Sequence, residues 1–424
     1  TMEHASWDGE FISLALDDSG KAFIALAYDY EEPLEIATNV TGSWQIMYLD
    51  YDPLYLEYED LSETAIAIDS EGFIHAALYS YDTYGLVYTD NASAYWKIES
   101  VDEDYYYAVQ PAVVLDSGDD VHIAYYWSDY DAPMMAVKSG KGWTTEQLAE
   151  PVHWGYMNTK TIVLDSEDRP HIAAVSGGLT HYFMDEDGKW HTEFFFPGKY
   201  CYVEDVPMAF YSDDEPCFVV ETTDALYLVE KQTSSWNVEH VAGSAYVFGL
   251  VVDSQDVPHV IYSTGYVDTY HAFREGSSWT TEYIGGLGPV AAAIDSDDVI
   301  HIAGSPNNPH DYYAKKTDKG WTIEEFDTCG GMAHSIYVDD SGDVHVVYRC
   351  QSSHQLKYAV RSDGSWTKEV VFTEPDYYIG WRMTVVADDS GNVHVLFSDY
   401  GRTYYAVKTD GSWSVEDIGL FVSP

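Results

Sequence analysis

The sequence predicts an all-β protein, a single β-propeller of four-stranded antiparallel blades, on three observations. An acid-tipped phrase recurs nine times along the 424 residues, a Trp follows every copy at a near-constant distance, and the intervening segments alternate with period two. The phrase is clearest as Ala291-Ala-Ala-Ile-Asp-Ser-Asp-Asp-Val-Ile-His-Ile-Ala and Ala65-Ile-Ala-Ile-Asp-Ser-Glu-Gly-Phe-Ile-His-Ala-Ala. Its anchors stand at residues 17, 69, 116, 165, 211, 253, 295, 339 and 388, and eight of these nine are Asp, with Tyr211 the exception. Six residues on, seven of nine copies have His, with Phe23 and Cys217 departing. The Trp residues 44, 96, 143, 190, 236, 279, 321, 366 and 413 follow 25 to 27 residues after each anchor. Repeats of 42 to 52 residues thus fill positions 1–424, which predicts one domain of nine blades.

Each repeat predicts four short strands. The first is small and apolar (Ala65-Ile-Ala-Ile), suited to a crowded axis, and a tight acidic turn follows it. The fourth turn position is Gly (20, 72, 342, 391) or Asp (119, 168, 214, 256, 298), residue types that tolerate positive φ. The second strand opens at the His (His122-Ile-Ala-Tyr-Tyr), the third reads Leu356-Lys-Tyr-Ala-Val, and the fourth starts at the Trp (Trp279-Thr-Thr-Glu-Tyr-Ile). No stretch has helical periodicity.

Composition narrows the function. With 46 % hydrophobic residues the chain can bury a large core, while 20 Lys+Arg against 72 Asp+Glu give a formal charge of −52. Such a surface repels nucleic acid and anionic membranes. No apolar run is long enough for a membrane span, so membrane insertion is not expected. Sequons at Asn39 and Asn91, each five residues before a repeat Trp, fit a secreted chain. Cys201 with Cys217 and Cys329 with Cys350 each fall within one repeat, where they form either disulfides stapling its first two strands or buried thiols.

The repeated residues read as structure. An anchor Asp can accept hydrogen bonds from its own turn. The alternative is a Ca2+ site in every blade. The spacing lacks the alternating oxygens of a dedicated calcium loop, so no cofactor is required. A His present in seven copies is a packing group rather than one asymmetric catalytic constellation, and the nine Trp read as packing elements at the rim. Glu three residues after the Trp (99, 146, 193, 239, 282, 324, 369, 416, with Met47 departing) is expected to guard the outer strand against edge-to-edge association.

Function is expected where the repeats diverge, in the loops after strands two and four. There the chain is aromatic and acidic. Tyr79, Tyr81 and Tyr84, Tyr105 and Tyr106, Trp127 and Tyr130, Trp154 and Tyr156, and Tyr377, Tyr378 and Trp381 are the candidate ligand-binding residues. Aromatic faces stack on sugar C–H groups and neighbouring carboxylates accept hydroxyl protons; the same residues also suit a protein interface. Arg349, Arg382 and Arg402 form a candidate anion site, which a lyase acting on acidic polysaccharide would need. No G-x-S-x-G, H-E-x-x-H, phosphate-binding glycine loop or Cys metal motif occurs, and no catalytic residue is assigned.

The phrase D-S-x-G/D-x-x-H-I-A, the L-x-Y-A strand and the W-x-x-E strand resemble a propeller repeat of secreted bacterial and archaeal proteins, distantly similar to BNR/Asp-box propellers. The resemblance covers all nine repeats, for instance Asp339-Asp-Ser-Gly-Asp-Val-His-Val-Val-Tyr through Trp366. It departs from S-x-D-x-G-x-x-W in having His after the turn. The arginine triad and F-R-I-P signature of sialidases are also missing, which argues against that activity. The resemblance implies an extracellular or cell-surface propeller that binds glycans or proteins, with polysaccharide lyases among its relatives. The preferred reading is a non-catalytic propeller binding a glycan or surface protein. The alternatives are a polysaccharide lyase or other glycoside-degrading enzyme, and a self-assembling subunit of a surface layer or filament.

Overall fold

A computed structural model describes residues 11–16, 22–27, 34–38, 45–49, 61–80, 85–92, 97–102, 108–127, 132–140, 142–148, 161–175, 178–196, 201, 206–232, 235–265, 267–288, 290–306, 310–331, 333–339, 341–350, 353–373, 379–387, 391–399, 402–409 and 411–417. These residues form nine four-stranded sheets and no helix. In every sheet the four strands lie in sequence order and pair antiparallel, the arrangement of a propeller blade. Blades 1 to 9 open with the strands Phe11–Leu16, Leu61–Ile68, Ala108–Leu115, Thr161–Leu164, Met208–Phe210, Tyr246–Val252, Val290–Ile294, Ala333–Val338 and Ile379–Ala387.

The chain divides into two compact units, Thr1–Val206 with blades 1 to 4 and Pro207–Val422 with blades 5 to 9. Within each unit the first strands of successive blades lie side by side. The sheets therefore meet face to face, and the apolar core consists of the layers between them. Ala65, Leu86 and Tyr88 of blade 2 pack on Val113, Ile123 and Tyr125 of blade 3. Val260, Tyr262 and Ala272 of blade 6 pack on Val219, Leu226 and Leu228 of blade 5.

The acidic turn does what its residue types allow. The fourth position has positive φ, 62° at Asp119, 60° at Asp256 and 84° at Gly72. Oδ1 of Asp69 accepts the N–H groups of Glu71 and Phe73, and its Oδ2 meets His75 Nε2 at 3.1 Å. The other ring nitrogen of His75 meets the Tyr88 hydroxyl of strand three. The same box recurs at Asp295–His301–Tyr313 and Asp339–His345–Tyr358. In blades 4 and 6 a second imidazole replaces the phenol, with His171 on His181 at 3.1 Å and His259 on His271 at 2.8 Å. In blades 2, 7 and 8 both ring nitrogens of the buried His thus have partners, whereas in blade 3 His122 meets Asp116 through Nε2 and its Nδ1 has no hydrogen-bond partner among the described residues.

The turns also bond to each other. Ser70, Ser117, Ser212 and Ser254 each donate through N–H and hydroxyl to the carboxylate of Asp119, Asp168, Asp256 and Asp298 in the next blade. Where Asp holds the positive-φ position of these four turns, it is therefore an inter-blade acceptor as well as a turn former.

The Glu of the fourth strand has a different role from the edge guard expected of it. Glu99, Glu239, Glu282, Glu324 and Glu369 accept from the indole N–H of Trp143, Trp279, Trp321, Trp366 and Trp413 in the following blade. The cross-strand neighbour of each of these Trp is a cation, Lys138, Arg274, Lys316, Arg361 or Lys408, which pairs with the same Glu. The indoles pack edge-on against strand three of the preceding blade, Trp143 on Tyr88 at 4.9 Å and Trp413 on Tyr358 at 5.2 Å. Sequence spacing locates these Glu on the outer strand but cannot show that the next blade covers them.

Blade 5 lacks the Asp–His box and builds a substitute. The Tyr211 hydroxyl donates to Glu230, a buried carboxylate that is also ion-paired with Arg274 of blade 6. Burial works against ionisation of Glu230, yet the bonds from Arg274, Tyr211 and Asn237 hold its carboxyl below the usual range. Cys217, in place of the His, is a buried thiol pushed up to about 12 by desolvation. Of the two cysteine pairs, Cys329 and Cys350 are joined in a disulfide, while Cys201 and Cys217 are buried thiols.

Two outcomes are expected. Arg274→Met strands the Glu230 charge and lowers the unfolding free energy by about 3 kcal/mol in urea titration, whereas Arg274→Met with Glu230→Leu loses less. Burial and the neighbouring imidazole hold His171 down to about 4 and His271 to about 3, so both are neutral in the fold. The unfolded chain gains protons at these positions below about pH 6.5, so stability falls from there toward the folded values. His271→Tyr, which restores the phenol of the other blades, makes the acid decline of Tm less steep.

Candidate ligand-binding edge

Antiparallel order places the start of strand one, the end of strand two, the start of strand three and the end of strand four at one edge of each blade. The acidic turns occupy the opposite edge. The expected site residues that fall in strands all map to the first edge. Tyr79 is in Ile74–Ser80, Trp127 closes Val121–Trp127, Trp381 and Arg382 are in Ile379–Ala387, and Arg402 opens Arg402–Thr409. The side chains of these five lie outside the described residues, as do Tyr81, Tyr84, Tyr105, Tyr106, Tyr130, Trp154, Tyr156, Tyr377 and Tyr378. Arg349, near the end of Val344–Cys350, is the one expected anion-site residue whose side chain is described, and it is buried, 6 % exposed.

At this edge of blade 6 the structure shows an aromatic group that loop-based reasoning passes over. Tyr262, Tyr270 and Tyr283 are successive cross-strand partners on strands two, three and four, so their side chains share one face of the sheet. Tyr262 and Tyr270 stack with centroids 5.4 Å apart, and Tyr270 and Tyr283 meet at 5.3 Å. Burial falls along the ladder, from Tyr262 at 4 % exposed to Tyr283 at 57 %. The Tyr283 hydroxyl donates to Asp268 Oδ1 at 3.1 Å. Exposed Val267 lies beside it, and a Cβ added at Gly286 would stand 3.7 Å from Val267 and 3.9 Å from the Tyr283 oxygen. At Gly285 a Cβ would come within 3.2 Å of exposed Ile323 in blade 7. The paired glycines keep this shelf open between an aromatic ring, two aliphatic side chains and a carboxylate.

The register itself carries the signal for these tyrosines. Tyr262 lies three residues beyond the repeat His259, Tyr283 four beyond the repeat Trp279, and Tyr270 pairs with both. Counting outward along strands rather than into loops would have located them.

A second cluster at the same edge is buried between blades 7 and 8. Asp311 opens strand three of blade 7 (Asp311–Thr317), and its cross-strand partner Asp327 closes strand four (Gly320–Asp327). Asp327 accepts from the Tyr348 hydroxyl at 2.7 Å, Lys357 Nζ at 2.8 Å and Lys368 Nζ at 3.2 Å. Burial opposes its ionisation, but these donors hold its carboxyl well below the usual range. Asp311 is wholly buried. Burial pushes it up to about 6; the N–H groups of Cys329 and Gly330 pull down and the charge of Asp327 pushes further up. A carboxyl of this kind suits a general acid, but with no exposed surface it meets no substrate in this conformation.

No protein-family model matches the sequence, and no curated protein is similar to it. Solved structures show similarity of backbone. Virginiamycin B lyase from Staphylococcus aureus, in an inactive variant bound to quinupristin, has 12 % identity and a TM-score of 0.43 over 68 % of this chain and 92 % of its own. The Aleuria aurantia lectin bound to α-methyl-L-fucoside has 17 % identity and 0.33 over 63 % and 95 %. The NanB sialidase from Streptococcus pneumoniae has 11 % identity and 0.34 over 93 % and 88 %. At such identities and scores these structures carry no argument about what the chain binds or does.

Proposed function

We propose that the protein is a non-catalytic, extracellular or cell-surface propeller that binds a neutral glycan at the edge carrying the strand-two ends. The observation that supports this reading is the exposed end of the tyrosine ladder, with the Tyr283 ring beside the Asp268 carboxylate and Val267. An aromatic face covers the C–H side of a pyranose, and a fixed carboxylate accepts its hydroxyl protons. The strand-borne ladder holds the ring in place before ligand arrives, which limits the ordering cost of binding. The disulfide between Cys329 and Cys350 agrees with an oxidising compartment. The large excess of acids favours an uncharged ligand over an acidic polysaccharide.

A glycan array on the purified protein, run with calcium and again with chelator, tests the reading. Binding to neutral glycans is expected, without cleavage products on prolonged incubation. Tyr283→Ala should weaken the strongest hit about tenfold or more, equivalent to roughly 1.4 kcal/mol, with thermal stability little changed. A blank array, or full affinity in Tyr283→Ala, refutes the assignment; cleavage products would make the protein an enzyme.

A further inference from the structure

The tyrosine shelf of blade 6 continues past its glycine pair onto the outer strand of blade 7. A Cβ at Gly285 would stand 3.2 Å from the Cδ1 atom of Ile323, which is exposed. Glu325 follows two residues on in the strand Gly320–Asp327, so it shares the face of Ile323. Tyr312 is the cross-strand partner of Glu325 and lies on that face too. Its ring is partly buried against the apolar layer that contains Ile284, Leu287 and Val290, which holds it in place. Glu325 Oε2 stands 3.0 Å from His310 Nδ1, and the two side chains are 42 % and 40 % exposed. The His310 and Tyr312 rings are 6.2 Å apart between centroids.

The fold has little use for this His–Glu pair. Exposed ion pairs contribute little to stability. Blade 7 is already tied by the Asp295–His301–Tyr313 box and by the bonds of Trp321 and Lys316 to Glu282. An aromatic ring with a fixed acceptor and a fixed donor beside it repeats, on blade 7, the chemistry of the Tyr283 shelf.

Resting on the glycan reading above, we propose that Tyr312, His310 and Glu325 form a second saccharide subsite. The ligand is then a linear neutral oligosaccharide of at least two sugar residues that crosses the glycine pair, not a single terminal sugar. Tyr283 and Asp268 take one pyranose, Ile323 borders the link, and Tyr312 takes the next ring. There the Glu325 carboxylate accepts hydroxyl protons and the His310 imidazole exchanges a hydrogen bond with a neighbouring oxygen. Two residues of strand span about 7 Å and adjacent glycine Cα atoms about 3.8 Å, so the two patches are separated by more than one pyranose covers. Filling the second subsite by a linked sugar is an intramolecular step, so affinity rises with chain length.

Isothermal titration of the full chain with the mono-, di- and tetrasaccharides of glucose, galactose, mannose and N-acetylglucosamine tests this. In at least one series the affinity should rise about tenfold or more from mono- to disaccharide. Glu325→Ala and His310→Ala, each checked by thermal melting, should cut that gain to about threefold or less and leave monosaccharide affinity unchanged. Tyr283→Ala should weaken both lengths alike. The inference is overturned if every series that binds does so equally at all lengths, or if the gain survives both substitutions. It is also overturned if no series binds; glycan-array binding would then leave the glycan reading standing, whereas a blank array would remove both.

Discussion

The carboxylate at the head of each box-bearing hairpin is the constraint on which the rest of the structure depends. One oxygen closes the turn by accepting two backbone N–H groups, and the other holds the imidazole that enters the core. A buried imidazole without partners would cost about 1–3 kcal/mol, so the same Asp sets the turn and makes a polar core position tolerable. From that imidazole the contacts run outward to the strand-three phenol or second imidazole, then to the indole of the next blade. A turn defined by local chemistry is thereby coupled to packing between sheets.

The same economy explains how so acidic a chain holds together. Many of its carboxylates are acceptors at defined positions: in turns, under indoles and beside cations. Five of the cations share one repeated position. Lys138, Arg274, Lys316, Arg361 and Lys408 each stand opposite a repeat Trp, bridging to the Glu of the preceding blade. Such pairs are partly shielded from solvent and more effective than surface ion pairs, which are worth little. Blade 5 shows the scheme's tolerance. With Tyr211 and Cys217 in place of Asp and His, Tyr211 bonds to a buried Glu230 that pairs with Arg274 of blade 6, an added tie beside the Ser212–Asp256 and Glu239–Trp279 bonds.

The edge opposite the acidic turns is free of this repeated demand, which is why its residues vary. Strand register places a graded tyrosine ladder there in blade 6 and a closed acid–disulfide cluster at the blade 7–8 boundary. The two differ chemically because one ends in an exposed ring and the other in a wholly buried carboxyl. Exposure leaves the first open to solvent, and closure removes the second from it.

The amino-acid sequence by itself determined the number of blades, their four strands and the chemistry of their turns. Period-two alternation, a positive-φ residue and an Asp six residues before a His all act over a few neighbouring residues. It also indicated which edge would vary, and Tyr79, Trp127, Trp381, Arg349 and Arg402 all map to it. Only the tertiary structure decided that Glu282 accepts from Trp321, that Cys329 and Cys350 join while Cys201 and Cys217 remain thiols, that Arg349 is buried, and that Tyr283 presents an open ring beside a carboxylate. Those outcomes depend on which faces of different strands and blades meet, and burial of that kind is set by packing between segments tens of residues apart, which local pattern does not encode.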